Sequence, residues 1–378
     1  MQAPSSVTPA FVLLALFNLF FSLLFRLSAD KTLFNLMAVF GFAGFLLVGA
    51  LYHVVPNAQG KELPYPRLAW LSFAFALLAT LNLYTLDARG AASFVFLSFL
   101  VAGGQLLWNY RNFSSVTHRF LFAALLYLVL SGFFLAAAYN AGGLLPSLAV
   151  HTFTLGALLN AVYGVLSAWM PLLLAEAYEP KELERLFVAK QLATPVVLLG
   201  FLIGDYALLP FLFVAELACA LYFLYLTVGL LERRKPLTPA PEVVKLFLTA
   251  LFLLPVGMIM GAYAAGKAAA FPVLLSVHLD FVFYGFVAFT AFGGILHLLP
   301  RVVWSLVRNR PTKQSLKVED LISEQEVKEF TRWAWTLYAL FLALETLPGP
   351  LQALSSAVYL VLLVLFFRAI TPTVKALL

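Results

Sequence analysis

The chain has 378 residues, of which 63% are hydrophobic and only 11% charged, against about a quarter charged in soluble domains. That balance excludes a soluble globular domain, and the formal charge of +6 reads as membrane orientation with some attraction to anionic lipid, not as nucleic-acid binding. The single cysteine, Cys219, excludes an internal disulfide, and no C-x-x-C-H stretch offers covalent heme attachment.

Apolar runs of about 20 residues, long enough to cross a hydrocarbon core, recur from end to end. They predict an all-α polytopic membrane protein of about twelve helices, at 10–28, 33–56, 66–86, 91–110, 117–139, 146–175, 187–205, 208–231, 243–266, 273–305, 328–346 and 351–370. The opening MQAPSSVTPA lacks the basic start of a cleaved signal peptide, so the first run is kept as helix 1. Asp30–Lys31, Asp87–Arg89, Asn140–Gly143 and Pro348–Gly349–Pro350 mark short turns. Longer polar connections follow helices 2, 6, 8 and 10 and include EPKELER (179–185), ERRKPLTPAPE (232–242) and RNRPTKQSLKVEDLISEQEVKE (308–329). Ser323 with Glu326 reads as a capping box opening helix 11.

The termini and the connections after even-numbered helices hold 20 of the 24 Lys and Arg; Arg26, Lys31, Arg89 and Lys267 fall on the other side. The positive-inside rule then predicts a multi-pass protein of the cell (inner) membrane with both termini cytoplasmic.

Three helices share a spacing of Gly, seven residues, Gly, six residues, Pro. Helix 2 carries Gly41, Gly49 and Pro56, helix 6 carries Gly156, Gly164 and Pro171, and helix 10 carries Gly285, Gly293 and Pro300. Glycines inside membrane helices let a neighbouring backbone or a flat ligand come close. A proline near a helix end costs little, because its missing N–H is tolerated there. A recurrence on every fourth helix divides one transmembrane domain, 1–378, into three four-helix units at about 1–115, 116–240 and 241–378.

Twelve helices in three units, with glycine-rich helices 2, 6 and 10, resemble the catalytic subunit I of the heme-copper oxidases. The segment HLDFVFYGFVAFTAFGGILHLLPR (278–301) is most similar to helices of the C-type oxidases and nitric oxide reductases. In those a ligand histidine is followed by a glycine-rich helix ending in a Y/H-x-L-P-type motif. The resemblance implies one histidine on helix 2 for a low-spin heme, one on helix 6 and two on helix 7 for copper, and a His-x-His pair on helix 10. This chain departs from that set. Helix 2 has Phe34 where helix 10 has His278, with Asn35 next to it; helix 7 has no histidine; and helix 10 reads His278-x-Asp280. A bis-histidine low-spin heme and a three-imidazole copper site are therefore not expected.

His278 stands where the resemblance implies the high-spin heme ligand, and a satisfied core histidine is the alternative. His151 aligns with Asp280; an inter-helix hydrogen bond, with Asp280 as one partner, is expected, and a metal role is the alternative. His53 and His297 read as helix-end residues and His118 as interfacial. Glu216 and Gln105 are the remaining intramembrane polar groups, expected to bond between helices. Tyr163 lies twelve residues from His151, not the four that a catalytic tyrosine on helix 6 would need.

The resemblance implies an oxidase-like scaffold without the complete ligand set, not a terminal oxidase, holding at most one heme. Electrons would come from quinol or a separate donor protein, and homo-oligomerisation is left open. Two other readings stand beside it: a single-heme redox or nitric-oxide-handling protein using His278, and a proton or small-solute transporter or channel built on His151, Asp280 and Glu216.

Overall fold

In the computed structural model the described residues are 5–26, 36–108, 110–142, 146–235, 239–267, 271–308, 310, 313, 315–347 and 350–377. They form an all-α polytopic membrane protein of twelve long helices, with no strand among the described residues. We label them α1 (Thr8–Arg26), α2 (Met37–Gln59), α3 (Pro66–Tyr84), α4 (Ala88–Trp108), α5 (Val116–Asn140), α6 (Pro146–Leu174), α7 (Pro180–Ile203), α8 (Leu209–Arg233), α9 (Glu242–Gly266), α10 (271–307), α11 (Glu324–Glu345) and α12 (Pro350–Leu377). Ten are long and apolar enough to cross a membrane; α1 offers the shorter apolar run Thr8–Leu24, and the first turns of α11 are charged. Phe34, Asn35, the Asp30–Lys31 turn, Gly143 and Pro348–Gly349 lie outside the described residues.

Two helices start earlier than hydropathy predicts. The EPKELER stretch is not a connection but the first turns of α7, which begins at Pro180. Proline is at home in a first helical turn, Glu182 there meets the positive end of the helix dipole, and Arg185 reaches back to Glu182 at 2.7 Å. α11 begins at Glu324 because the capping box forms: the Glu326 amide donates to Ser323 Oγ at 3.2 Å, and the Ser323 amide to Glu326 Oε2 at 2.7 Å. The earlier start of α7 also corrects the charge count. Lys190, one of the 20 basic residues assigned to the terminal side, is fully buried well inside the helix.

The helices are arranged as a ring around a centre. Successive contacts α1–α3–α4–α5–α7–α8–α9–α11–α12–α1 close the ring. Inside it stand α2, α6 and α10, which are 78%, 67% and 72% buried over their apolar windows, against 33% to 56% for the other spanning helices. The glycine-marked helices are thus the three central ones.

Each central helix is interrupted at the same place. A π-helical stretch covers Met37–Gly44 in α2, Thr152–Leu158 in α6 and Asp280–Val287 in α10. Each contains the first glycine of the motif: Gly41, Gly156 or Gly285. Widening from an i+4 to an i+5 pattern leaves a carbonyl without its ordinary partner, and inside a membrane another donor must answer it.

The second glycines set helix spacing. A Cβ on Gly49 would lie 2.6 Å from Phe11 Cβ of α1, one on Gly164 3.1 Å from Phe120 Cβ of α5, and one on Gly293 2.8 Å from the Phe247 ring of α9. Pro56 and Pro171 follow inside the last turns of α2 and α6, whereas Pro300 stands well inside α10, which runs on to Val307. Gly49→Val is expected to destabilise the protein by about 1–3 kcal/mol through overpacking, read as a lower melting temperature in detergent. Gly104→Ala, whose Cβ would meet nothing within 4 Å, should leave that temperature unchanged.

Candidate functional site

His151 and His278 stand just ahead of the π segments of α6 and α10. The structure brings their imidazoles to one cavity of about 360 Å³, enclosed by α2, α5, α6, α7, α8, α9 and α10. Its walls are largely aromatic and aliphatic, with Phe40, Phe153, Phe213, Phe283 and Phe286 among them. Ser147, Tyr139 and Tyr206 bring hydroxyls towards the end where α6 begins and α7 finishes.

Both imidazoles are held in the same way. His151 Nδ1 donates to the Ser147 carbonyl at 2.8 Å, one turn back on its own helix, and the ring stacks on Phe201 at 3.9 Å and 18°. His278 Nδ1 donates to the Gly257 carbonyl of α9 at 2.7 Å. A neutral imidazole that donates through Nδ1 keeps its lone pair on Nε2. Fixing the tautomer through a backbone carbonyl is how proteins prepare a histidine to ligate or to accept. The His278 ring lies flat against α9 because Gly261 has no side chain: a Cβ there would sit 2.6 Å from Nδ1.

Two pre-oriented imidazoles and apolar aromatic walls fit a flat macrocycle needing an axial nitrogen donor, as heme does. For heme carboxylates the lining supplies hydroxyls; among the described residues no Lys or Arg is part of it. A copper site of three imidazoles does not fit. Two histidines reach the cavity, and among the described residues no group of three or more His, Cys, Asp or Glu side chains is placed to hold a metal.

The other residues singled out by sequence fall elsewhere. Asp280 is buried at the first position of the α10 π segment, and its carbonyl accepts from Tyr338 at 2.9 Å. His297 packs on Trp169 of α6 at 4.9 Å, and His53 pairs with Asn57 on its own helix. His118 ties the start of α5 to the Ala58 carbonyl of α2 at 2.8 Å. Gln105 donates to the Tyr65 carbonyl at 3.0 Å, joining α4 to the turn before α3. A second, largely apolar cavity of about 120 Å³ shares Ala43, Leu158, Phe286 and Val287 with the larger one.

Glu216 makes more than an inter-helix hydrogen bond. It forms an ion pair with Lys190 at 2.8 Å, both side chains fully buried. Lys190 Nζ also donates to Thr194 Oγ1 at 2.6 Å and to the Leu155 carbonyl, inside the α6 π segment, at 2.9 Å. Leu155 lines the large cavity, so the ion pair props one of its walls. Lys190 was missed from sequence, although Leu183, Leu186, Lys190, Ala193 and Val197 trace one buried face of α7.

No family model matches the chain. Over 367 residues it is 44% identical to an uncharacterized protein of Aquifex aeolicus (strain VF5), covering 97% of each chain.

Proposed function

The chain belongs to one family with that Aquifex aeolicus protein, and we propose that it is a heme-copper-oxidase subunit I-like membrane protein that has kept the scaffold and a single ligand cavity. The observation that carries the reading is the pair of imidazoles, His151 and His278, each tied through Nδ1 to a backbone carbonyl and both lining one largely apolar cavity. His278 would hold one heme through its imidazole, and His151 lines the same space from α6. A bound heme would supply one-electron or diatomic-ligand chemistry, while the residues around it exclude water and hold the imidazoles neutral. Copper-dependent reduction of dioxygen is not part of this function, since two imidazoles fall short of a copper set. Quinol or a separate protein is the electron donor.

With Lys190 set aside as buried, 19 basic residues still lie on the terminal side against four opposite. Both termini therefore face the cytoplasm of the cell membrane, and the cavity lies in the outer half.

Metal and heme analysis of the purified protein tests this. One iron per chain as heme, with copper well below one equivalent, is the expected result. No heme after expression with ample iron, or two hemes per chain, would overturn it.

A further inference from the structure

The Lys190–Glu216 pair holds more charge than its structural task requires. The Leu155 carbonyl immediately precedes Gly156 in the α6 π segment and is answered by the Lys190 ammonium at 2.9 Å. In α10 the carbonyl immediately preceding Gly285, that of Tyr284, accepts instead from the neutral hydroxyl of Tyr359 at 2.8 Å. A phenol from an outer helix therefore suffices. Using an ammonium instead requires a buried counter-ion, and burying two ions in a membrane interior is costly.

The carboxylate is asymmetrically solvated. Glu216 Oε1 accepts from Lys190 at 2.8 Å and from Thr194 at 2.5 Å. Oε2 is buried and accepts nothing from any described residue. The Tyr163 hydroxyl, also buried, likewise has no partner among the described residues. With both donors fixed on Oε1, that atom is cast as the carbonyl-type oxygen, and Oε2 is the atom on which a proton would sit. Lys190 of α7, Tyr163 of α6, Tyr127 of α5 and Cys219 of α8 itself are the titratable groups within electrostatic reach. The same seam between α6, α7 and α8 carries Gln191 bonded to Asn160 at 2.7 Å and, nearer the terminal side, Tyr222 bonded to Glu182.

We propose that Glu216 is a reversible proton-binding site within the membrane, taking the proton on Oε2 while Lys190 and Thr194 hold Oε1. The step is a protonation alone. A proton from water adds to the carboxylate, the pair passes from zero net charge to +1, and nothing is oxidised or reduced. Through Leu155, which both accepts from Lys190 and lines the two-imidazole cavity, the charge of the site is felt at the cavity wall whatever fills it.

Infrared difference spectroscopy of the purified full chain between alkaline and acid pH tests the proposal. A protonated-carboxyl C=O band should grow as the pH falls, disappear in Glu216→Gln and persist in Asp280→Asn. Should Glu216→Gln fail to fold, the Lys190→Met/Glu216→Met double variant, which leaves no unpaired ion, takes its place and should also lack the band. A wild-type difference spectrum identical to that of the folded variant, with no titrating band of its own, overturns the proposal. Because no ligand enters the measurement, failure here leaves the heme reading standing, and an absent heme leaves this one standing.

Discussion

Lys190→Met alone is expected to destabilise the protein by about 3–5 kcal/mol, the usual cost of stranding one member of a buried ion pair. Three donations end at once, because Nζ serves Glu216, Thr194 and the Leu155 carbonyl. The carboxylate left behind has no cation in a membrane interior, and the π-segment carbonyl loses its side-chain donor. Lys190→Met/Glu216→Met should recover much of the loss, since replacing both ions with apolar side chains of similar volume is often close to neutral. Thermal unfolding in detergent measures the difference. Equal melting temperatures for the single and double variants would show that the Leu155 carbonyl, not the stranded charge, sets the cost. A Lys190→Met variant as stable as wild type would remove the pair from any part in the fold.

Much of this fold is legible in the chain, because membrane helices follow from one simple constraint. Each backbone polar group must bond within its own segment, so hydropathy and length alone locate the helices. The Gly–Gly–Pro spacing goes further. It marks the three helices that prove to be central, each of which carries a glycine where Phe11, Phe120 or Phe247 of a ring helix comes close. The interruptions at Gly41, Gly156 and Gly285 leave no mark in hydropathy, because a π segment changes hydrogen-bond register without changing composition.

The site is less legible. Aligning the central helices sets His151 against Asp280, two positions from His278, and suggests that the two histidines serve different places. The cavity reunites them, because what matters is which space each ring reaches, and His278 is drawn to α9 by the Gly257 carbonyl and the bare backbone of Gly261. Those two glycines carry no motif. Lys190 is hidden for the opposite reason: a lysine shortly after a charged stretch reads as a surface residue. Only the buried face through Leu186, Ala193 and Val197 turns it inward.

His278→Ala should cost the protein its heme, with purified material colourless or loaded to a small fraction of wild type. The substitution removes the Nε2 donor and leaves a space the size of an imidazole beside the Gly257 carbonyl. Free imidazole in the growth medium and buffers can enter that space, so heme content should recover in its presence. Gly261→Val provides the contrasting case. Its Cβ would lie 2.6 Å from His278 Nδ1, pushing the ring off its carbonyl while leaving the donor in the chain. Disturbing the partner that orients a ligating histidine costs about 10–100-fold in affinity, and imidazole should not restore it, because the native ring still occupies the space. His151→Ala separates the roles of the two histidines. If His278 alone is the axial donor, this variant keeps its heme but changes its spectrum and its affinity for added ligands. If His151→Ala loses heme while His278→Ala keeps it, the axial donor is on α6. Retention of full heme by all three variants would place the heme outside this cavity.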